Sequence, residues 1–186
     1  MPLIWALNLQ GACLKDRVYG PYLMRAFFEP GKTASGLKHF LFGSTPETLE
    51  KLEKHLSKLN PQTIIVGHLS PPFGEFSDKD EVAIAKTISD AEPDCIWVAL
   101  GGIKQETWIK KNLFRYRRGV FLGVGDAFSL LAGQSTFAPA TVQRLGLTWL
   151  FRMIQNPRRL GPRYFTYNFR FLKLWMLDRL KSSFSR

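Results

Sequence analysis

Four short apolar runs limit what this chain can fold into: HFLFG at 39 to 43, TIIVGHL at 63 to 69, CIWVALG at 95 to 101 and GVFLGVG at 119 to 125. They are rich in β-branched and aromatic residues and show almost no polar alternation, the pattern of strands covered on both faces in a parallel sheet. Helix-like stretches separate them. Pro46 to Leu59 sets Leu49, Leu52, Leu56 and Leu59 at spacings of 3, 4 and 3, with Ser44 or Thr45 available as N-cap. Asp78 to Ala91 repeats the stripe through Val82, Ala85 and Ile88. The alternation predicts an α/β fold, a Rossmann-like, mainly parallel sheet flanked by helices.

The chain of 186 residues, 45% hydrophobic, is long enough for one domain with a sizeable core and a small appendage. Residues 1 to 150 are expected to form the α/β domain and 151 to 186 a basic, aromatic, helical appendage. Gly31 to Gly36 and Ser70 to Asp78 read as loops, the latter because Pro71 and Pro72 do not fit together inside a regular element. Ala138 to Gln155 reads as one long helix. Pro157, Gly161 and Pro162 are then expected to break the chain before a terminal helix from about Tyr164 to Lys181.

Of the net charge of +11, residues 151 to 186 carry +8, from nine Lys and Arg against Asp178. Such a segment suits a phosphate-bearing ligand, nucleic acid or an anionic membrane surface. No nucleic-acid-binding motif accompanies it, so nucleic acid is not expected as a partner. In the terminal helix Phe165, Phe169, Leu172, Met176 and Leu180 follow helical spacing, with Arg170, Lys173 and Lys181 towards the other side. That pattern fits a helix lying in a membrane interface, or one packing its apolar face on the sheet. No apolar window is long enough for a membrane span and no signal peptide is read at the start. Cys13 and Cys95, far apart in apolar surroundings, suit reduced, buried thiols and a cytoplasmic setting.

Ligands of open parallel sheets bind beyond the carboxyl ends of the strands. HLSPPFG, GGIKQE and GVGDAF all fall there. Glycines admit a ligand close to the backbone, and a following helix presents free N–H groups to a phosphate. A tight turn explains Gly101 and Gly102 equally well, and a solvated first helical turn explains Gln105 and Glu106. Gly123-Val124-Gly125 lacks the third glycine of a dinucleotide fingerprint, and neither a Walker pattern nor a GxSxG elbow is present. His39 and His55 read as strand-edge and helix-surface residues, His68 lies near a strand end, and the three show no metal-ligand spacing. No metal or cofactor is expected.

The order HLSPPF, PDCIWVALGGIKQETWI, GVFLGVGDAFSLLAG and FAPATVQRLGLTWLFRMIQNPRRLGPRY resembles the bacterial WecG/TagA/CpsF glycosyltransferases, whose patterns run SPPF, PDxxxVGLGxPKQE.W, GVGxxFDxxAG and RAPxxxQxxGLEWLxRLxxEPxRLxxRY. RVYGPYLM at 17 to 24 is similar to the family's RVxGxDL segment, so the likeness covers essentially the whole chain. It implies a metal-independent, inverting transferase moving an N-acetylmannosamine-type or related hexose from a UDP-sugar to a polyprenyl-diphosphate-linked sugar in cell-surface polysaccharide synthesis. The enzyme would sit peripherally on the inner face of the cell membrane, against its anionic surface, with self-association suggested. Carried over by position, Gly101, Gly102, Gln105, Glu106, Gly123 and Gly125 hold the donor, while Arg152, Arg159 and Arg163 support the leaving diphosphate, the exact partner among Arg158 and Arg159 being open.

The chain also departs from the family pattern. The resemblance places the general-base Asp in an Asp-Gly pair just ahead of a segment like MPLIW, where this chain begins, so the base is expected to be missing from it. Ser129, Tyr22 and Thr148 stand where the family has acidic residues, and Ile103 where it has Pro. Asp126, beside the first of these, reads mainly as the N-cap of AFSLL. Two explanations stay open: a shortened reading of a longer active enzyme, or a non-catalytic membrane-associated binding homologue of the same fold.

Overall fold

A computed structural model describes residues 2–15, 18–31 and 36–184; the side chains of Pro2, Leu3 and part of the C-terminal helix lie outside that description. The chain runs α1 (Pro2–Asn8), α2 (Gly20–Phe28), β1 (Lys38–Gly43), α3 (Pro46–Leu59), β2 (Ile64–Leu69), α4 (Asp78–Asp90), β3 (Cys95–Ala99), α5 (Gly102–Asn112), a 3-10 turn (Leu113–Arg115), β4 (Val120–Gly123), α6 (Ala127–Leu131), α7 (Ala140–Arg144), α8 (Thr148–Gln155) and α9 (Pro157–Phe184). It resolves into two compact units, Val18–Thr136 and a second made of Met1–Arg17 with Phe137–Arg186.

The first unit holds the expected sheet. All four predicted strands form, pair in parallel and take the order β2-β1-β3-β4. Their continuous apolarity has the expected cause, since Phe40, Leu41 and Phe42 of β1 and Ile96, Trp97 and Val98 of β3 are all fully buried. On one face Phe40, Phe42, Ile96 and Val98 pack with Ile84 and Ile88 of α4 and Trp108 of α5. The alternate residues Leu41 and Trp97 face the other way, where α2, α3 and α6 lie and Phe28 meets Trp97 at 5.6 Å between ring centroids.

Local chemistry sets the helix starts. Thr45, not Ser44, caps α3, accepting from the Thr48 N–H at 3.3 Å, and Pro46 follows at the first helical position. Leu49, Leu52 and Leu56 of the predicted stripe are fully buried. Ser77 and Asp80 form a reciprocal capping box on α4. At the amino end of the sheet Asp94 accepts from the Lys38 N–H at 2.9 Å and pairs with Arg118, which together hold its carboxyl below the usual range. The Pro-Asp of PDCIW therefore ties β1, β3 and β4 together at the end opposite the glycine-bearing turns.

Several expectations change. The buried face of α4 runs through Glu81, Ile84 and Ile88, one position off the expected Val82 and Ala85, so Val82 is exposed and Ala85 only partly covered. His39 is not at a strand edge: β1 is central, and the ring is fully buried with its Nδ1 accepting from Trp97 Nε1 at 3.2 Å. Cys13 is exposed, because the segment after α1 is irregular, whereas Cys95 is buried and its thiol is pushed up by that burial. The single helix over 138 to 155 is two, since Gly146 adopts φ +72° and the Gly146 and Leu147 N–H groups fold back onto the carbonyls of Gln143 and Val142, a Schellman closure that ends α7. Conversely, α9 runs unbroken with Pro162 inside it. Pro157 is preorganised for the first helical position, and one lost bond at Pro162 is outweighed by the six turns that follow. Residues 32–35 of the GKTASG loop lie outside the described residues.

Candidate functional site

The sheet order fixes where a site can form. β1 connects leftward through α3 to β2, whereas β3 connects rightward through α5 to β4, so the chain switches direction between the carboxyl ends of β1 and β3. Gly43 ends β1 there with φ +114°, and a Cβ on it would stand 2.6 Å from the Ala99 carbonyl oxygen. The two strand ends meet this closely only because residue 43 is glycine. Ser44 follows at φ +66°, and its carbonyl accepts from Ser70 Oγ at 2.8 Å. The β1 turn, FGST, thus belongs to the site, and sequence reading missed it; a glycine at the end of the first apolar run was the available signal.

Across the switch point, Gly101 (φ +80°, ψ 139°) and Gly102 (φ +49°) make a turn that other residues adopt only with strain. Gly101 takes the N-cap position of α5 without any side-chain capping bond, and the space where its Cβ would sit is empty. The first turn of α5 therefore presents its N–H groups at an open strand end, the arrangement that receives an anionic oxygen.

The next two residues reach in opposite senses. Lys104 Nζ donates to the Gly74 carbonyl and lies 4.2 Å above the Phe76 ring, fastening the loop after β2. Gln105, 6% exposed, accepts the Gly125 N–H on Oε1 at 3.0 Å and donates through Nε2 to Glu106 at 2.9 Å, fastening the loop after β4. A Cβ on Gly123 would stand 3.0 Å from Gln105 Nε2, so that glycine makes room for the amide. Lys-Gln thus joins three strand-end loops into one rim, with Glu106 and Ile103 exposed on it.

Several predicted binding residues accordingly have protein partners. The Gly125 N–H is taken by Gln105 and the Val124 N–H by the Val98 carbonyl, so these two amides of GVG are not free for a phosphate. Asp126 stands at the N-cap position of α6 but makes no capping bond with its side chain. His68 Nδ1 lies 2.9 Å from Glu53 Oε2, joining β2 to α3, and His55 is exposed. Among the described residues no three His, Cys, Asp or Glu side chains group as a metal site would require.

Arg152, Arg159 and Arg163 belong to the other unit, on α8 and α9. The Arg152 side chain is half-buried, while those of Arg159 and Arg163 lie outside the described residues. On α9 Phe169, Leu172 and Met176 are exposed, and so are Tyr167, Leu174 and Leu177 on other sides of the helix. The apolar surface therefore spreads beyond the single stripe expected; Phe165 and Leu180 of that stripe, and Lys181 of the cationic side, lie outside the described side chains. No helix among the described residues is long and apolar enough to cross a membrane.

A sequence model of the family described as "Glycosyl transferase WecG/TagA/CpsF family" matches residues 1–185. An N-acetylglucosaminyldiphosphoundecaprenol N-acetyl-beta-D-mannosaminyltransferase of Bacillus subtilis is 31% identical over 120 residues, 64% of this chain and 45% of that protein. A protein of the same name from Staphylococcus aureus strain MW2 is 29% identical over 124 residues, 67% of this chain and 47% of that protein. The matched region spans about half the length of these relatives.

Proposed function

The chain belongs to the WecG/TagA/CpsF family of glycosyl transferases, and from that premise we propose that its sheet unit binds the donor of a hexosyltransferase, a UDP-linked N-acetylmannosamine or related hexose. The acceptor in this reading is a polyprenyl-diphosphate-linked sugar used for cell-surface polysaccharide, as the names of the relatives suggest. The observation that carries it is the uncapped start of α5 at the switch point, with Gly101 and Gly102 holding it open and Lys104 and Gln105 fixing the loops on either side. Diphosphate oxygens would take the free N–H groups of that turn.

Gln105 acts here by holding the β4 loop in place, and Glu106, exposed beside it with Oε1 accepting from Gln105, turns its other carboxylate oxygen to the sugar or ribose. Gly123 and Gly125 contribute by letting that loop close on Gln105. Arg152, Arg159 and Arg163 are assigned to the charge that develops on the leaving diphosphate. No residue of this chain is assigned as general base. The helical unit carries the remaining part of the proposal, contact with an anionic membrane surface on the inner face of the cell membrane through α9.

Thermal unfolding in the presence of UDP tests the donor site. Millimolar UDP is expected to raise Tm by several degrees, and Gln105→Ala, which releases the Gly125 N–H, to remove most of that rise. A wild-type chain whose Tm ignores UDP contradicts the reading. A chain that binds UDP-sugar yet transfers nothing to acceptor would instead fit the non-catalytic homologue, for which Ser129, Tyr22 and Thr148 in place of acidic residues speak.

A further inference from the structure

We propose that Phe73, at the tip of the loop between β2 and α4, is a stacking platform for a pyranose ring; this rests on the donor-site reading above and extends it to the sugar. Phe73 is fully exposed, more so than any other large apolar side chain among the described residues. Leaving such a side chain in water forgoes about 2 kcal/mol of burial, which a ligand covering the ring on an already held loop would recover.

The loop is held on both sides of it. Ser70 Oγ donates to the Ser44 carbonyl at 2.8 Å on one side, and Gly74 and Phe76 are fastened by Lys104 on the other. Pro71 and Pro72 restrict the backbone leading into the ring. These anchors also place it. Ser44 follows the end of β1, and Lys104 lies in the first turn of α5, so the segment carrying Phe73 spans between the two sides of the switch point. Little ordering entropy remains to be lost when a ligand meets it.

The surrounding charge selects the partner. Glu75, Asp78 and Asp80 follow Phe73 within seven residues against Lys79 alone, and Lys104 is committed to Gly74 and Phe76, so the charge around the ring is on balance negative. An anionic bilayer or a phosphate is disfavoured there, whereas the C–H face of a neutral N-acetylhexosamine suits the negative face of the ring. Both the donor and the acceptor of the proposed reaction carry such a ring.

Affinities of wild type, Phe73→Ala, Phe73→Leu and Phe73→Trp for three probes decide the matter: UDP, UDP-N-acetylmannosamine, and a water-soluble short-chain diphosphate-linked N-acetylglucosamine. Phe73→Ala and Phe73→Leu are expected to weaken one sugar-bearing probe about 5- to 10-fold, leave UDP unchanged and leave Tm unchanged, with Phe73→Trp restoring affinity. Loss confined to the UDP-sugar assigns the donor ring, and loss confined to the other probe assigns the acceptor ring. Unchanged affinity for both sugar-bearing probes with UDP binding intact overturns the stacking and leaves the donor site standing. Equal weakening of UDP overturns it too, since Phe73 would then act through the loop. A wild-type chain that binds none of the three overturns both readings.

Discussion

His39 and Gln105 show how differently single polar residues are used in this chain. Each is buried, and each closes a bond between two segments that sequence separates widely. Burial holds the His39 imidazole down to about 4, against the influence of Asp94. Above pH 6.5 the ring is neutral in both folded and unfolded chains, while between 6.5 and about 4 only the unfolded chain takes up the proton. Stability is therefore lost through this residue as pH falls across that window, by up to about 3 kcal/mol. Replacing His39 with Gln keeps an acceptor for Trp97 Nε1 and removes the titration. Denaturant unfolding between pH 7 and 4 is expected to show a shallower loss of stability in His39→Gln than in wild type; parallel profiles would show that the ring titrates normally.

Strand ends are where the sequence was both most and least legible. The four apolar runs marked the strands to within a residue or two, because a strand covered on both faces must be apolar throughout. The leucine stripe of α3 was equally plain, whereas the Ser77 box of α4 lay inside a stretch read only as loop. What the runs could not reveal was pairing order, which depends on crossovers, and so the switch point and the FGST turn stayed hidden. Helix boundaries failed where one residue's conformation overrode periodicity, at Gly146, and where length outweighed a proline, at Pro162. Gln105 and Glu106 were found, but the loop-fastening use of Gln105 was not, because its partner Gly125 lies 20 residues away.

Two glycines at these ends should respond differently to the same change. Gly43→Ala drives a Cβ to 2.6 Å from the Ala99 carbonyl oxygen at φ +114°, so β1 and β3 must separate. Gly101→Ala meets no atom within 4 Å and bears only the strain of φ +80°. The expected costs are about 3 kcal/mol or more for the first and about 1 to 2 kcal/mol for the second. UDP binding should suffer in Gly101→Ala well beyond its small loss of stability, since the new methyl group occupies the space left open at the start of α5. Equal unfolding midpoints for the two variants would refute the close β1–β3 approach.

At the scale of the whole molecule the question is what a strongly basic helical unit meets. The +8 that its residues 151 to 186 carry is by itself compatible with nucleic acid and with an anionic bilayer, because both present dense phosphate. Exposed Phe169, Leu172 and Met176 beside exposed Arg170 and Lys173 separate the two. Phosphate contact by cations falls steeply with salt, whereas apolar side chains inserted at a bilayer interface keep a part of the binding that salt does not remove. The membrane contact proposed for α9 therefore predicts two components in sedimentation with phosphatidylglycerol-containing vesicles. Arg170→Glu with Lys173→Glu should abolish most binding at low salt, while Phe169→Ser with Met176→Ser should remove the fraction that survives 0.5 M salt, a concentration at which the Debye length is only about 4 Å. All four positions are exposed, so Tm should hold within a degree or two. Binding to vesicles that vanishes altogether at high salt in the wild type, with double-stranded DNA bound at least as well at low salt, would reject the bilayer and make phosphate charge alone the partner of this unit.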